Sequence, residues 1–200
     1  MEPHTFDTTS AERAIVTVGR VPQIGMGFLS SSGHVVTAAH VVFDYVKAFG
    51  DLVLLRPPTG VCVPVAAIAE GGKVPLRLTV YEPCSDVAVL SFDGAEDDPV
   101  AQGLLSRARL RVITGVNPLP DPVPVHVYSW DRAWVQGTAT ELPSDTMLHV
   151  TCSFPKGSSG SPALTDQGEV LGVVSNADGE GRIARLAKAL PVWMTQRLLQ

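Results

Sequence analysis

Three serines and two glycines occupy five consecutive positions of the chain, in the segment "GSSGS" over residues 157–161. Composition alone favours a flexible linker, because Gly and Ser dominate turns and flexible connections. One of these serines could instead be a nucleophile, but a serine hydroxyl needs a base within hydrogen-bond reach to attack at neutral pH. The choice therefore depends on whether the chain brings a base to this segment.

Two other segments supply a candidate base and a candidate carboxylate. His40 follows the β-branched run "HVVTA", and Asp86 immediately precedes the apolar run "VAVL". Each residue alone has a structural interpretation, His40 as a histidine satisfied by its neighbours and Asp86 as a cap or turn residue. Taken with Ser159, however, all three stand at the mouth of a predicted strand. That shared position favours one nucleophilic site with a general base.

The elements that would position these residues are nearly all strands. Seven short β-branched or alternating runs lie within residues 13–92, and six more lie within residues 109–187. The acidic stretch 93–103 between them is predicted to be a solvated loop, and "PVWMTQRLLQ" over 191–200 predicts a short C-terminal helix that begins near Pro191. The pattern predicts an all-β chain of two antiparallel barrels or sandwiches.

Composition excludes several classes of function. The chain has 200 residues and a formal net charge of −5, which argues against nucleic-acid or anionic-membrane partners. No apolar run reaches 18 residues, so no membrane span is predicted. The three cysteines, Cys62, Cys84 and Cys152, are too scattered for a disulfide framework or a metal site and are predicted to be buried thiols. No metal or cofactor is expected, and without a visible secretory signal we expect a cytoplasmic location.

The segments "TAAH", "DVAVL" and "GSSGSP" together resemble the signature segments of the trypsin/chymotrypsin-like serine protease superfamily. The resemblance extends over essentially the whole chain and implies two six-stranded antiparallel β-barrels with the active site in the cleft between them. The barrels would span about residues 12–100 and 105–190 of a single protease domain. Cysteines that flank the motifs in digestive enzymes are missing, so the chain is more similar to bacterial Deg/HtrA-type or viral members.

The resemblance also implies a role for each motif residue. Only one register of "GSSGSP" fits the family pattern Gly-x-Ser-Gly-Gly/Ser-Pro, and it makes Ser159 the nucleophile. His40 would then be the general base and Asp86 its carboxylate partner. The backbone N–H groups of Gly157 and Ser159 would form the oxyanion hole. Ser158 stands where digestive enzymes carry an Asp that pairs with a freshly cut N-terminus.

The family pattern implies a substrate pocket as well. The residue six positions before the nucleophile, Ser153, would lie at the base of the primary specificity pocket, and Ser175, Asn176 and Ala177 would form one wall. A neutral base predicts a preference for apolar rather than basic side chains, since a buried cation needs a paired carboxylate.

Two functions remain open from sequence alone. The first is a serine endopeptidase acting on protein or peptide substrates, either by itself or as the protease module of a larger protein regulated by a further domain or an activator protein. The second is a catalytically silent binding or scaffold domain that keeps the fold. The presence of all three motif residues favours the endopeptidase.

Overall fold

A computed structural model describes residues 7–20, 23–42, 44–47, 53–56, 65–69, 72–92, 97–119, 121–141, 146–176 and 181–200. The first part of the chain forms, in order, α1 (Thr8–Arg13), β1 (Ile15–Arg20), β2 (Gln23–Leu29), β3 (Val35–Ala38), α2 (Ala39–Val42), β4 (Asp44–Lys47), β5 (Val53–Arg56), β6 (Val65–Ala69), β7 (Gly72–Glu82) and β8 (Val87–Ser91). The second part forms α3 (Pro99–Leu105), β9 (Val123–Tyr128), β10 (Trp134–Glu141), β11 (Met147–Val150), β12 (Pro162–Leu164), β13 (Val170–Asn176), β14 (Gly181–Arg185), α4 (Leu186–Ala189) and α5 (Val192–Leu199).

Six strands of the first part close into an antiparallel barrel in the order β1-β2-β3-β8-β7-β6. Alternating and β-branched runs suit this arrangement, since successive side chains point to opposite faces of a strand. Val18, Phe28 and Leu90 are fully buried inside it. The predicted run "LVLLR" is also a strand, β5, but it pairs with β4 in a separate two-stranded sheet.

The second barrel closes in the order β10-β11-β14-β13-β12-β9, and the predicted double-barrel fold is therefore confirmed. Two details of the prediction are wrong. The run "RLRVIT" over 109–114 is not a strand and forms only isolated bridges at Leu110 and Val112. The sixth strand is instead β12, which begins at Pro162 directly after the serine-rich segment; its three residues are too few to show a period in the sequence.

The connection between the barrels differs from the predicted loop. Residues 93–96 of the stretch lie outside the described residues, but Pro99–Leu105 form a helix. The side chain of Asp98 accepts hydrogen bonds from the backbone N–H groups of Val100 and Ala101 and so caps the helix. Ala101 and Leu104 are buried, so the helix covers the first barrel rather than standing in solvent. The domain boundaries near residues 100 and 105 stay a prediction.

One apolar core joins the two barrels. It includes Leu164 and Val173 of the second barrel and Leu186 of α4 together with the interior of the first barrel, while the second barrel has a further cluster of its own. The predicted C-terminal helix is confirmed as α5, and Leu199 at its end is buried in the shared core. Among the described residues, no helix is long and apolar enough to cross a membrane.

The cysteine prediction is partly wrong. Cys84 is exposed in the turn before β8, and Cys152 is half-buried; both are free thiols, and Cys62 lies outside the described residues. Burial raises the pKa of the Cys152 thiol. Cys84 lies in a turn at the surface, although cysteine is on average among the most buried residues.

Candidate active site

His40 and Asp86 meet because the strands that carry them are paired. Ala38 at the end of β3 lies opposite Val87 at the start of β8, and the next residues on each side come into contact. The backbone N–H of Ala39 donates to the carbonyl oxygen of Asp86 at 2.9 Å, and that of His40 donates to Asp86 Oδ1 at 2.8 Å. The ring atom His40 Nδ1 lies 2.6 Å from Asp86 Oδ2. Since a carboxylate only accepts, Nδ1 donates, and Nε2 of the neutral ring is an acceptor.

The carboxylate of Asp86 is held from both barrels. Its Oδ2 also accepts a hydrogen bond from the hydroxyl of Ser175, on β13 of the second barrel, at 2.8 Å. Asp86 itself has a left-handed backbone, with φ of +56°, which Asp tolerates better than most residues. This conformation lets one side chain accept from a backbone N–H, a ring nitrogen and a hydroxyl at once. The Ser175 side chain, which we predicted on the wall of the specificity pocket, thus contacts Asp86.

The serine-rich segment is clamped between β2 and β13. The carbonyl oxygen of Ser159 accepts a hydrogen bond from the backbone N–H of Met26 at 2.7 Å, and the N–H of Gly160 donates to the carbonyl oxygen of Val174 at 2.8 Å. Ser159 is 5% exposed. The linker interpretation is therefore wrong, because a flexible linker would not be buried and bonded on both sides.

Gly160 is required by close approach as well as by conformation. Its φ is +90°, and a Cβ atom built on it would lie 1.9 Å from the carbonyl oxygen of Met26 and 2.4 Å from Thr37 Oγ1. Thr37 in turn donates its hydroxyl to the same Met26 oxygen at 2.6 Å. The backbone of β2 therefore touches the segment with no side chain between them. Gly25 on β2 meets it in the same way, since its Cβ would lie 2.7 Å from the oxygen of Ser159.

Trp130 supports the start of the segment. Gly157 has φ of +96°, and a Cβ on it would come within 2.7 Å of the Trp130 ring. The backbone N–H of Trp130 donates to the hydroxyl of Ser158 at 2.9 Å, and Ser158 is almost fully buried. Sequence reasoning missed Trp130, because nothing in the local pattern links the β9–β10 turn to a segment nearly 30 residues later.

The comparisons with known proteins agree with the double-barrel fold. Residues 25–173 match the trypsin-like peptidase domain family. The chain belongs to that family. It is a trypsin-like serine protease, as the sequence resemblance predicted. No curated protein sequence shows a match.

Solved structures of other proteases share the fold at low sequence identity. The Rv3671c protease from M. tuberculosis in its active form is 19% identical, with 96% of this chain and 83% of that chain covered and a TM-score of 0.61. A human pathogenic astrovirus serine protease is 23% identical, with coverages of 92% and 95% and a TM-score of 0.58. A serine endoprotease from Yersinia pestis is 18% identical, with a TM-score of 0.60; 96% of this chain matches, but only 65% of that chain.

The predicted specificity pocket of this trypsin-like protease is described only in part. Ser153 lies in an irregular segment after β11 and is exposed, the backbone of Asn176 pairs with Arg182 of β14, and Ala177 lies outside the described residues. A Cβ on Gly181 would lie 2.3 Å from the carbonyl oxygen of Cys152, so β14 passes directly beside the segment that carries Ser153. Their roles in binding substrate stay predictions.

Three other histidines of the protease, His34, His126 and His149, have different surroundings. His126 Nε2 lies 2.8 Å from Asp166 Oδ1, and His34 Nδ1 lies 3.0 Å from the hydroxyl of Ser32. His149 is exposed on β11. Within the described ranges, no group of three or more His, Cys, Asp or Glu side chains is placed to hold a metal ion.

Proposed function

We propose that this trypsin-like protease is a serine endopeptidase in which Ser159 is the nucleophile, His40 the general base and Asp86 the carboxylate that orients it. The observation that carries the proposal is the contact of His40 Nδ1 with Asp86 Oδ2 at 2.6 Å. That contact fixes the ring, so that Nε2 is the nitrogen able to accept a proton. The buried Ser159, clamped where the two barrels meet, supports the assignment of the nucleophile.

The reaction would follow the double displacement established for this family. Ser159 Oγ attacks the carbonyl carbon of the scissile bond while His40 Nε2 takes the hydroxyl proton. The imidazolium then gives that proton to the leaving amine, and the C–N bond breaks to leave an ester on Ser159. A water molecule attacks the ester with His40 again as base, and the proton returns to Ser159 Oγ as the acid product leaves.

Asp86 would act on the imidazole through two effects. Its negative charge lies beside the ring when the ring is protonated, which stabilises the imidazolium that forms during attack. Its further bonds to the His40 backbone N–H and to the Ser175 hydroxyl hold the carboxylate in place. Because Ser175 comes from the second barrel, the orientation of the base depends on how the two barrels are docked.

The backbone N–H groups of Gly157 and Ser159 would stabilise the oxyanion that forms when the scissile carbonyl is attacked. The left-handed conformation of Gly157, packed against Trp130, supports a fixed turn at this place rather than a mobile one. Removing one oxyanion donor costs on the order of 10²–10³ in kcat in proteases where it has been tested. Such donors work because they point at the developing charge before the reaction begins.

Protein or peptide substrates follow from the family, and we propose an apolar residue before the scissile bond. Ser153 offers no carboxylate to offset the desolvation of a buried Lys or Arg side chain. An apolar side chain needs only shape and burial, which is worth ~25 cal/mol per Å² of apolar area. The cytoplasmic location and the regulatory domain or activator protein stay predictions.

A peptide library tests the endopeptidase proposal. We expect the wild-type chain to cleave peptides after apolar residues, and Ser159→Ala to lower kcat/KM by on the order of 10⁶. Ser161→Ala is the matched control, because its buried hydroxyl has no hydrogen-bond partner among the described residues. We expect this variant to stay within a few-fold of wild type.

Three results of that experiment would count against the proposal. Cleavage that survives Ser159→Ala would remove Ser159 as the nucleophile. Cleavage mainly after Lys or Arg would show that the pocket assignment is wrong. A folded wild-type chain that binds peptides without cutting them would favour the silent binding domain.

A further inference from the structure

A large polar cavity opens on the side of the protein where α1 and the β9–β10 turn come together. Its volume is about 1030 Å³. Helix α1 lines one side, with Glu12 and Arg13, and the end of α3 contributes Arg107. The turn after β9 contributes Trp130 and Arg132. The catalytic roles proposed above use no charged side chain of this cavity.

The residues that line the cavity carry a net positive charge, whereas the chain as a whole is negative. The chain carries a formal net charge of −5, yet three arginines, Arg13, Arg107 and Arg132, line this one space. Among the lining residues Glu12 is the single carboxylate, and its Oε1 accepts the indole N–H of Trp134 at 3.0 Å. The ion pairs formed between described residues involve other basic side chains. Three guanidinium groups facing one carboxylate leave an excess of positive charge.

A neutral donor completes this lining. Tyr128 faces the cavity from the end of β9. Burial and the nearby Glu12 raise the pKa of its phenol, while Arg132 acts in the opposite direction. The hydroxyl therefore stays protonated at neutral pH and can donate a hydrogen bond. Three cations and a phenol suit a carboxylate ligand, since a guanidinium binds a carboxylate through two parallel hydrogen bonds.

The cavity adjoins the proposed nucleophile through two shared residues. Met26 lines the cavity, and its backbone N–H is bonded to the carbonyl oxygen of Ser159. Trp130 also lines it, and its ring lies against Gly157 of the proposed oxyanion hole. The cavity is therefore on the β2 side of Ser159.

The predicted specificity pocket would lie on the β13 side of the nucleophile. Its candidate wall residues, Ser175 and Asn176, belong to β13, which holds Gly160 through Val174. In an extended substrate that crosses Ser159, the residues before the scissile bond would then lie toward β13 and the residues after it toward β2. The residues after the scissile bond are thus the ones directed at the arginines.

We propose that this cavity binds acidic side chains of the substrate on the C-terminal side of the scissile bond, with Arg13, Arg107 and Arg132 as the specificity-determining residues. The proposal rests on the serine endopeptidase function proposed above. It adds a second determinant of specificity, opposite in character to the apolar pocket, and it defines the substrate as a peptide that is apolar before the cleaved bond and acidic after it.

Internally quenched peptides test the proposal directly. One set keeps the residues before the cleaved bond constant and carries Glu, Gln or Lys at the second to fourth positions after it. We expect kcat/KM for the Glu peptide to exceed that for the Gln peptide by about tenfold at low ionic strength, and the advantage to shrink as salt screens the charges. The Lys peptide should be the poorest of the three.

The variant that removes the positive charge is Arg13→Gln, Arg107→Gln and Arg132→Asn combined. Asn is chosen at position 132 because Arg132 has φ of +63°, a conformation that Asn tolerates. The Glu-to-Gln ratio should fall to about 1, and using the ratio within one variant cancels any general change in activity. Arg111→Gln is the matched control, since Arg111 is an exposed arginine paired with Glu169 outside this cavity; its ratio should equal that of wild type.

A binding measurement without turnover tests the site for acidic side chains independently of the proposed endopeptidase activity. Peptides with the Glu, Gln or Lys sequences are titrated against Ser159→Ala, and the fluorescence of the tryptophans is followed. Tighter binding of the Glu peptide, lost in the charge-removed variant, would support the site even if the wild type cleaved nothing. Equal binding and equal cleavage of Glu and Gln peptides would overturn it.

Inorganic phosphate distinguishes a substrate site from a free-anion site. It is added while the enzyme cleaves a chromogenic amide that has no residues after the scissile bond. We expect no acceleration of that substrate and weak competition with the Glu peptide. Acceleration of the chromogenic amide that the charge-removed variant lacks would show that the cavity is an anion-dependent regulatory site, and the substrate proposal would be wrong.

Discussion

The two barrels hold their parts of the site in different ways. In the first barrel, His40 and Asp86 extend from paired strands, and the register of β3 against β8 brings them together, while Ser175 of the second barrel adds one hydrogen bond to Asp86. In the second barrel, Ser159 lies between β11 and β12, where the segment makes no ladder of its own. Its position comes from a hydrogen bond to Met26 of the first barrel and from bonds to Val174 and Trp130 of the second.

The His40–Asp86 half and the Ser159 half of the site therefore depend on different features of the fold. A register fixed by buried strands is hard to change, because a slip of one residue would turn every side chain to the wrong face. A segment held by a few bonds between barrels depends instead on the docking of the barrels. We therefore expect substitutions near His40 and Asp86 to affect chemistry with the fold intact, and those around Ser159 to affect both.

The largest expected effect concerns His40 and Asp86, the half of the site that the first barrel carries. Asp86→Asn should lower kcat by about 10⁴, as the equivalent substitution does in proteases of this fold, because the amide no longer selects the correct ring tautomer. Asn tolerates the left-handed backbone at φ of +56°, so the melting temperature should stay close to that of wild type. Steady-state kinetics and thermal unfolding measured together check this. A large loss of stability would show that Asp86 is a structural residue first.

The second prediction concerns the clamp on the nucleophile. Gly160→Ala places a methyl group against the Met26 carbonyl and Thr37, and also forces alanine into a positive φ. We expect a loss of about 3 kcal/mol in the free energy of unfolding, which is roughly 6–12 °C in melting temperature, together with a large loss of activity. Gly103→Ala is the matched control: no atom lies within 4 Å of its Cβ, and it sits in helix α3. That variant should be neutral or slightly more stable.

The smallest expected effect concerns the charges inside the second barrel. Arg185 is fully buried, and its guanidinium donates to Glu141 at 2.5 Å and to the carbonyl oxygens of Gly115 and Asn117. Burial alone would raise the pKa of Glu141, but hydrogen bonds from Lys188 and the Leu119 backbone and the charge of Arg185 outweigh it and lower the pKa below 4.5. Because the folded pKa is lower, the stabilisation is present above about 4.5 and is lost as the pH falls through the folded value.

Glu141→Gln tests this charge network. The variant should lose about 2 kcal/mol at pH 7, since it leaves a buried guanidinium without its carboxylate, and its stability should fall less steeply than that of wild type below pH 4.5. Glu169→Gln, which breaks the exposed pair with Arg111, is the control and should change stability by under about 1 kcal/mol. Denaturant unfolding at pH 7 and pH 4 checks both. Equal effects of the two substitutions would contradict the assignment.

The sequence predicted those parts of the molecule that depend on short, local patterns. The β-branched runs predicted most strands of the first barrel. Three motifs indicated His40, Asp86 and Ser159, whose catalytic roles stay a proposal. The three-residue strand β12 has too few residues to show a period, and "RLRVIT" alternates like a strand but has no partner to pair with along its length. Local pattern alone does not determine such pairings.

The sequence also could not predict contacts between residues that lie far apart in the chain. The bond of Ser175 to Asp86, the packing of Trp130 on Gly157 and the approach of Gly25 to Ser159 each join residues far apart in the chain. Each of these residues, taken alone, is typical of many strands and turns. The contacts of Ser175 and Gly25 exist only when both barrels are present, because the docking of the barrels creates them, whereas the contact of Trp130 with Gly157 forms within the second barrel.

Labelling with a fluorophosphonate tests the central claim most directly. The probe forms a covalent bond only with a serine that a neighbouring base activates, and the modified residue can be located by mass spectrometry of the digested protein. We predict a single adduct on Ser159, absent from Ser159→Ala, strongly reduced in His40→Ala and unchanged in Ser161→Ala. An adduct on Ser158 or Ser161, or labelling that persists without His40, would contradict the account.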